Sequence, residues 1–272
     1  MCIATWVWQA HPVYQFLLLL NRDEFHDRPT EPVGWWGESS NHKILGGRDV
    51  LGGGTWLGCT KDGRLAFLTN FREPDSLSGT KSRGELPKRF LECTKCPLEF
   101  VQEIVKEADQ YNGFNLIVAD LCTKSMIYIS NRPKGKPISI LEVPPGVHVL
   151  SNANLNSPWP KAEKLRKEFS EILSNHRQEE ISETEMVQSL MADKTKADRS
   201  LLPDTGCDPE WEFDLSSIFV ETVTKLGRYG TRSMVAICVT KSSKVCFYEK
   251  YIVGGIWKDH SFQYHLEKLQ EG

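Results

Sequence analysis

Cys2 and the run Asn21-Arg22-Asp23-Glu24 are the residues here whose types best fit chemistry. Removal of Met1, expected when the second residue is small, would leave Cys2 with a thiol and a free α-amine. An α-amine titrates at about 7.7–8, so it can accept the thiol proton near neutral pH. Nucleophile and base then share one residue, the N-terminal variant of triad chemistry. Asp23 is suited to orient the amine, and Arg22 to lower the thiol pKa. Asn70 and Asn152 each follow an apolar strand-like run and can donate to an oxyanion. Arg232 opens a late strand and can bind an anionic intermediate or substrate group. Taken singly, each of these reads first as a structural polar residue, and the tetrad as a solvated hairpin end.

Two strands must bring the first pair of features together. Cys2-Ile3-Ala4-Thr5-Trp6-Val7-Trp8 is rich in β-branched and aromatic residues, and Tyr14 to Leu20 is an apolar run of strand length. Ala10-His11-Pro12 punctuates them. A hairpin there sets the start of the first strand against the end of the second, so Cys2 meets the tetrad at the rim of a sheet. Adjacent strand residues point to opposite faces, which pairs Asn21 with Asp23 and Arg22 with Glu24. In a regular strand one of Arg22 and Asp23 faces Cys2; a bulge could bring in both.

Further along, Thr55–Cys59 and Arg64–Phe71 form a hairpin pattern around Lys61-Asp62-Gly63. Ser82–Leu91 reads as a helix despite Pro87, and Pro97 marks the start of another. Phe114–Ala119 and Ser125–Ile129 read as a strand pair. Trp159, Ala162, Leu165, Phe169, Ile172 and Leu173 recur as the apolar stripe of a helix with a charged outer face. Ser182 and Glu185 form a capping pattern. Residues 193–217 read as a polar loop, and Arg232–Thr240, Lys244–Tyr251 and Phe262–Leu266 as late strands. Strands at both ends with helices between them predict an α+β fold of largely antiparallel sheets, with no visible domain boundary.

The chain has 272 residues, 25% of them charged, and a net charge of −3, which offers no electrostatic footprint for nucleic acid. No stretch is apolar for long enough to span a membrane, and the N-terminus lacks the basic region of a signal peptide. The eight cysteines lack the density of a disulfide framework and predict a reducing compartment.

Other motifs carry less. Cys93-Thr94-Lys95-Cys96 has no second ligand pair at zinc spacing, and the seven His residues show no metal spacing, so no metal is expected. Cys96-Pro97 can be written as a haem-binding dipeptide, but Pro97 fits a helix start better. His148 reads as a satisfied strand residue ahead of an axial ligand. The glycine string Gly52-Gly53-Gly54 lacks the Lys-Ser/Thr ending of a phosphate loop. Trp6, Trp8, Trp35, Trp36 and Trp56 are core by default, or the lining of an apolar cleft.

Asn21-Arg22-Asp23-Glu24, at the end of the second strand after Met1-Cys2, resembles the signature of the NRDE family, the transport and Golgi organisation protein 2 family. Gly52–Gly58, Thr69-Asn70-Phe71-Arg72, Leu150-Ser151-Asn152 and Tyr229-Gly230-Thr231-Arg232-Ser233 are similar to its other recurring blocks. The resemblance spans essentially the whole chain and implies a single NRDE-family domain over residues 1–272. It implies a four-layer αββα sandwich like that of the N-terminal nucleophile hydrolases. Bile-salt and penicillin-amide cleaving members of that fold carry an arginine and an aspartate three positions apart, whereas Arg22 and Asp23 are adjacent here. Cys2, Asp23, Asn152 and Arg232 therefore carry over as catalytic positions, Asn70 as a plausible one, and Asn21, Arg22 and Glu24 as a structural cluster.

The function implied is Golgi organisation and protein secretion, together with the handling of a small hydrophobic ligand, haem or an acyl compound. No cofactor is required on this reading; haem would be cargo. The location implied is cytoplasmic, with Golgi or mitochondrial association. An N-terminal cysteine amidohydrolase acting on an amide or thioester is the alternative, and a non-catalytic trafficking adaptor the third reading.

Overall fold

Cys2–Trp8 (β1) and Tyr14–Phe25 (β2) pair antiparallel from Cys2 opposite Arg22 to Trp8 opposite Phe16. The computed structural model describes residues 2–37, 44–74 and 77–267. β2 is longer than the Tyr14–Leu20 segment expected from the sequence. It runs on through the tetrad because both neighbours keep pairing with it: Cys2 and Ile3 on one side, and Gly230 to Met234 on the other. Asn21–Glu24 are thus ladder residues and not a rim beyond the strand.

Two compact units emerge, each collecting several stretches of chain. The second unit holds Thr30–Trp35 (β3), Ile44–Asp49 (β4), Leu57–Thr60 (β5), Arg64–Asn70 (β6), Phe114–Asp120 (β7), Ser125–Ser130 (β8) and Ser139–Glu142 (β9). They form one sheet in chain order, each strand antiparallel to the next. Glu85–Glu92 (α1) and Pro97–Val105 (α2) pack Leu86, Phe90, Phe100 and Ile104 onto its Ala66, Leu116 and Val118. Helix α1 starts three residues later than the sequence pattern suggests. Pro87 then falls in the first turn, where its missing N–H costs no hydrogen bond. Pro97 opens α2, and the Cys96 thiol accepts from the Glu99 N–H as its cap, so this thiol serves the helix start.

The first unit gathers residues 1–27, 72–74 and 145–264. It contains Gly146–Leu150 (β10), Pro160–Asn175 (α3), and Glu183–Met186 (α4), which runs into a π turn over Val187–Met191. Pro209–Asp214 (α5), Glu221–Thr224 (β11), Gly227–Thr240 (β12), Lys244–Val253 (β13) and Ile256–His265 (β14) follow. The sheet order is β10-β1-β2-β12-β13-β14, with β11 also on β12. Ile3, Leu17, Leu19, Met234 and Ala236 form one apolar face, covered by Leu165, Phe169 and Leu173 of α3 and by Val187 and Met191. Each fully buried Leu or Phe there contributes roughly 1.5–3 kcal/mol. His148 is a strand residue of β10, stacked on Trp6 at 5.4 Å and in contact with Asn156 Nδ2 at 3.2 Å. Residues 193–217 are largely irregular, as expected, apart from a 3-10 turn over Arg199–Leu201 and α5, which carries a buried glutamate, Glu212. The architecture is α+β, with antiparallel sheets that each carry helices on one face.

Candidate functional site

Cys2 is the first described residue of β1, and its register partner is Arg22. Cross-strand partners share a face, so the thiol and the guanidinium lie on the sheet face opposite the helices. Ser233 is the partner of Arg22 on β12 and continues that row. Asn21 and Asp23 point the other way, to the helix-covered face. Asn21 is fully buried, and its Nδ2 donates to Met191 O at 2.8 Å and Ile218 O at 3.0 Å. It therefore ties the sheet to the two chain segments that cross it.

Asp23 is 2% exposed. Its Oδ1 accepts from Thr231 Oγ1 at 2.7 Å, and its backbone carbonyl accepts from Tyr229 Oη at 3.2 Å. At the tetrad the bulge falls on β12: Thr231 opposes Asp23 and Ser233 opposes Arg22, leaving Arg232 as the extra residue. Arg232 is thereby turned along the sheet, where its Nη1 donates to Phe25 O at 3.0 Å. Glu24 accepts from the Phe25 N–H at 2.8 Å.

Beside Cys2, Ser151 Oγ donates to Cys2 O and to Asn152 Oδ1, both at 3.3 Å. Asn152 is fully buried. Arg72 donates from its backbone N–H to Asn152 O at 2.7 Å and from Nη2 to Asn152 Oδ1 at 3.4 Å. Its guanidinium also pairs with Glu212 and lies 4.7 Å from the centre of the Trp159 ring. Thr205 donates to the other Glu212 oxygen. Lys161, in the first turn of α3, is buried and donates from Nζ to Leu215 O at 2.8 Å. Cys2, Asp23, Asn152 and Arg232 thus lie in one unit with Asn21, Arg22 and Glu24. Asn70 closes β6 in the second unit, opposite Phe114.

The charges act on one another. Burial pushes the Cys2 thiol up, and the Asp23 carboxylate adds to that; the Asp23 backbone N–H and the Arg22 charge pull it down. Burial raises Asp23, against the charges of Lys161 and Arg72 and the Thr231 hydrogen bond. Burial and the Arg22 charge work against the charge on Arg232, while Glu24 and Asp27 favour it. Burial, aided by Arg72, brings Lys161 down to about 7, while Asp23, Glu212 and Cys2 oppose the fall.

Residues 1–254 match the description of the family Transport and Golgi organisation 2. The chain belongs to this family. The Transport and Golgi organization protein 2 homolog of Bos taurus is 32% identical over 98% of this chain and all of its own length. The Drosophila melanogaster Transport and Golgi organization protein 2 is 25% identical over 98% of both. Among solved structures, the C2A mutant of conjugated bile acid hydrolase from Clostridium perfringens aligns at a TM-score of 0.45 and 15% identity, over 97% of each chain. An N-acylethanolamine-hydrolyzing acid amidase ortholog from Caenorhabditis elegans aligns at 0.46 and 13%, over 69% of this chain and 84% of its own.

In this Transport and Golgi organisation 2 family member, three further site residues escape a reading of chemistry from the sequence. Arg72 lies inside the block Thr69-Asn70-Phe71-Arg72 but follows no strand pattern that singles it out. Lys161 had a legible signal: Lys161, Leu165 and Phe169 are spaced by four, so the lysine stands in the apolar stripe of α3. Glu212 had none, since it lies in a segment of polar composition.

Proposed function

We propose that this chain serves Golgi organisation and secretion by handling a small acyl- or haem-like ligand at the Cys2–Asp23 cluster. The observation carrying this reading is the register of β1 on β2, which sets the thiol against Arg22 and beside the Asp23 backbone N–H. Buried charge of this density is costly unless a function retains it. Arg22 and Arg232 suit the anionic group of such a ligand, and the cysteine end of β1 suits its carbonyl. The test is equilibrium titration of haem and of a long-chain acyl thioester into the wild type and into Cys2→Ala/Asp23→Ala. Saturable binding weakened at least tenfold in the folded variant is expected; equal affinity removes the proposal.

A second reading, a cysteine amidohydrolase, is favoured by the thiol's neighbours. Cys2 would attack an amide or thioester carbonyl with its own α-amine as base, Asp23 holding that amine and Asn152 donating to the oxyanion. It requires Met1 to be removed. An intact mass with Met1 retained, or turnover undiminished in Cys2→Ala, rules this mechanism out.

A further inference from the structure

The Asn152 amide has one accepting and one donating end, and its neighbours decide which of them a ligand meets. β10 pairs with β1 as far as Leu150 opposite Ala4, so carrying the register on brings Asn152 level with Cys2. Ser151 Oγ, 3.3 Å from both Cys2 O and Asn152 Oδ1, ties the two together. A hydroxyl can donate or accept, so it fits the amide either way round. The Arg72 guanidinium cannot: it has no acceptor, and its Nη2 lies 3.4 Å from Asn152 Oδ1. Turning the amide over would set donor against donor between two buried residues.

Arg72 is itself held from several directions. Its backbone N–H donates to Asn152 O at 2.7 Å, its guanidinium pairs with the buried Glu212, and the centre of the Trp159 ring lies 4.7 Å away. Thr205 Oγ1 donates to the other Glu212 oxygen, so the carboxylate is fixed in turn. We propose that Arg72, held by Glu212, is a positioning residue: it turns the Asn152 oxygen toward itself and so presents the Nδ2 end, a donor, to the Cys2 end of the site. The group bound there is then a hydrogen-bond acceptor, a carbonyl oxygen, and a ligand with hydrocarbon at that point is discriminated against. The selection of a carbonyl rests on the reading that a ligand occupies the Cys2–Asp23 cluster; the orientation of the amide does not.

Two compounds that differ by one carbonyl test this: the ketone S-(2-oxotetradecyl)-N-acetylcysteamine and the thioether S-tetradecyl-N-acetylcysteamine. Calorimetric titration gives the ratio of their affinities. Wild type is expected to favour the ketone about tenfold, the effect of one well-placed hydrogen bond. Arg72→Met/Glu212→Leu removes the orienting donor without stranding a charge, and should bring the ratio to about one. Arg72→Lys, still a donor with no acceptor, should keep the wild-type ratio within about threefold. A pair that only braces the fold would weaken both compounds alike and leave the ratio unchanged. A wild-type ratio near one, or a double variant that keeps the wild-type preference, overturns the proposal. Neutron diffraction from the deuterated, ligand-free wild type reads the amide directly and needs no variant to fold. Deuterons on the side of Asn152 away from Arg72 are expected; deuterons facing Arg72 overturn the proposal. Wild type that binds neither compound removes the ligand reading, and the neutron result still decides the role of Arg72.

Discussion

Removing the Glu212 carboxylate should damage the protein far more than its position in a short helix suggests. Its side chain is 3% exposed, and that of its partner Arg72 is 1% exposed. Breaking a buried pair by deleting one member leaves an uncompensated charge and costs about 3–5 kcal/mol. Arg72 keeps the Asn152 oxygen at 3.4 Å and the Trp159 ring at 4.7 Å, which offset a part of that. Glu212→Ala is therefore expected to lower stability by about 3 kcal/mol. The double variant Arg72→Met/Glu212→Leu should recover at least half of it, because no charge is then left buried. Urea unfolding followed by tryptophan fluorescence measures both, with Trp159 as a local reporter. A loss under about 1 kcal/mol for Glu212→Ala, at unchanged denaturant slope, would refute the reasoning, as would a double variant no more stable than the single one.

Other outcomes follow from the same geometry. Asn21→Leu should cost about 2–4 kcal/mol, because it strips the donors from two buried carbonyls, Met191 O and Ile218 O; urea midpoints check this. Gly230→Ala should destabilise the Thr231–Asp23 contact, since a Cβ there would lie 2.2 Å from Val220 O, whose own partner is the Thr231 N–H; hydrogen exchange at Thr231 and Val220 reads it. Lys161 has its folded-state pKa depressed from 10.5 to about 7, so the unfolded chain binds the extra proton between those values. Its stability contribution is present at high pH and lost as pH falls through 7. The stability of wild type relative to Lys161→Met should then rise with pH by up to about 1.4 kcal/mol per unit above pH 7. A flat difference across pH 7–10 contradicts it.

The part of the site built on one hairpin was legible because strand periodicity and antiparallel pairing are local rules. Alternation placed Asn21 with Asp23 and Arg22 with Glu24, and both pairings hold on β2. The length of β2 was not legible: strands pair across the tetrad because β12, some two hundred residues away, supplies Gly230 to Met234 as partners. A bulge on β2 was one way to bring both Arg22 and Asp23 to Cys2; at the tetrad the extra residue is Arg232 of β12, since register is a property of two strands and a single sequence run describes one. Arg72 and Glu212 find each other across 140 residues, and no local pattern encodes such a pair. Lys161 could have been found by counting fours from Phe169. The helix start at Pro97 was readable because proline at the first turn is a covalent constraint.

Ligand protection of the thiol is the most direct measurement on the Cys2–Asp23 cluster. Alkylation of Cys2 is timed by peptide mass spectrometry with and without a saturating long-chain acyl thioester or haem, with the exposed Cys96 and Cys122 as internal references. Occupation of the cluster predicts that Cys2 slows at least tenfold in at least one of these ligands while Cys96 and Cys122 keep their rates. Equal Cys2 rates with and without bound ligand would contradict it.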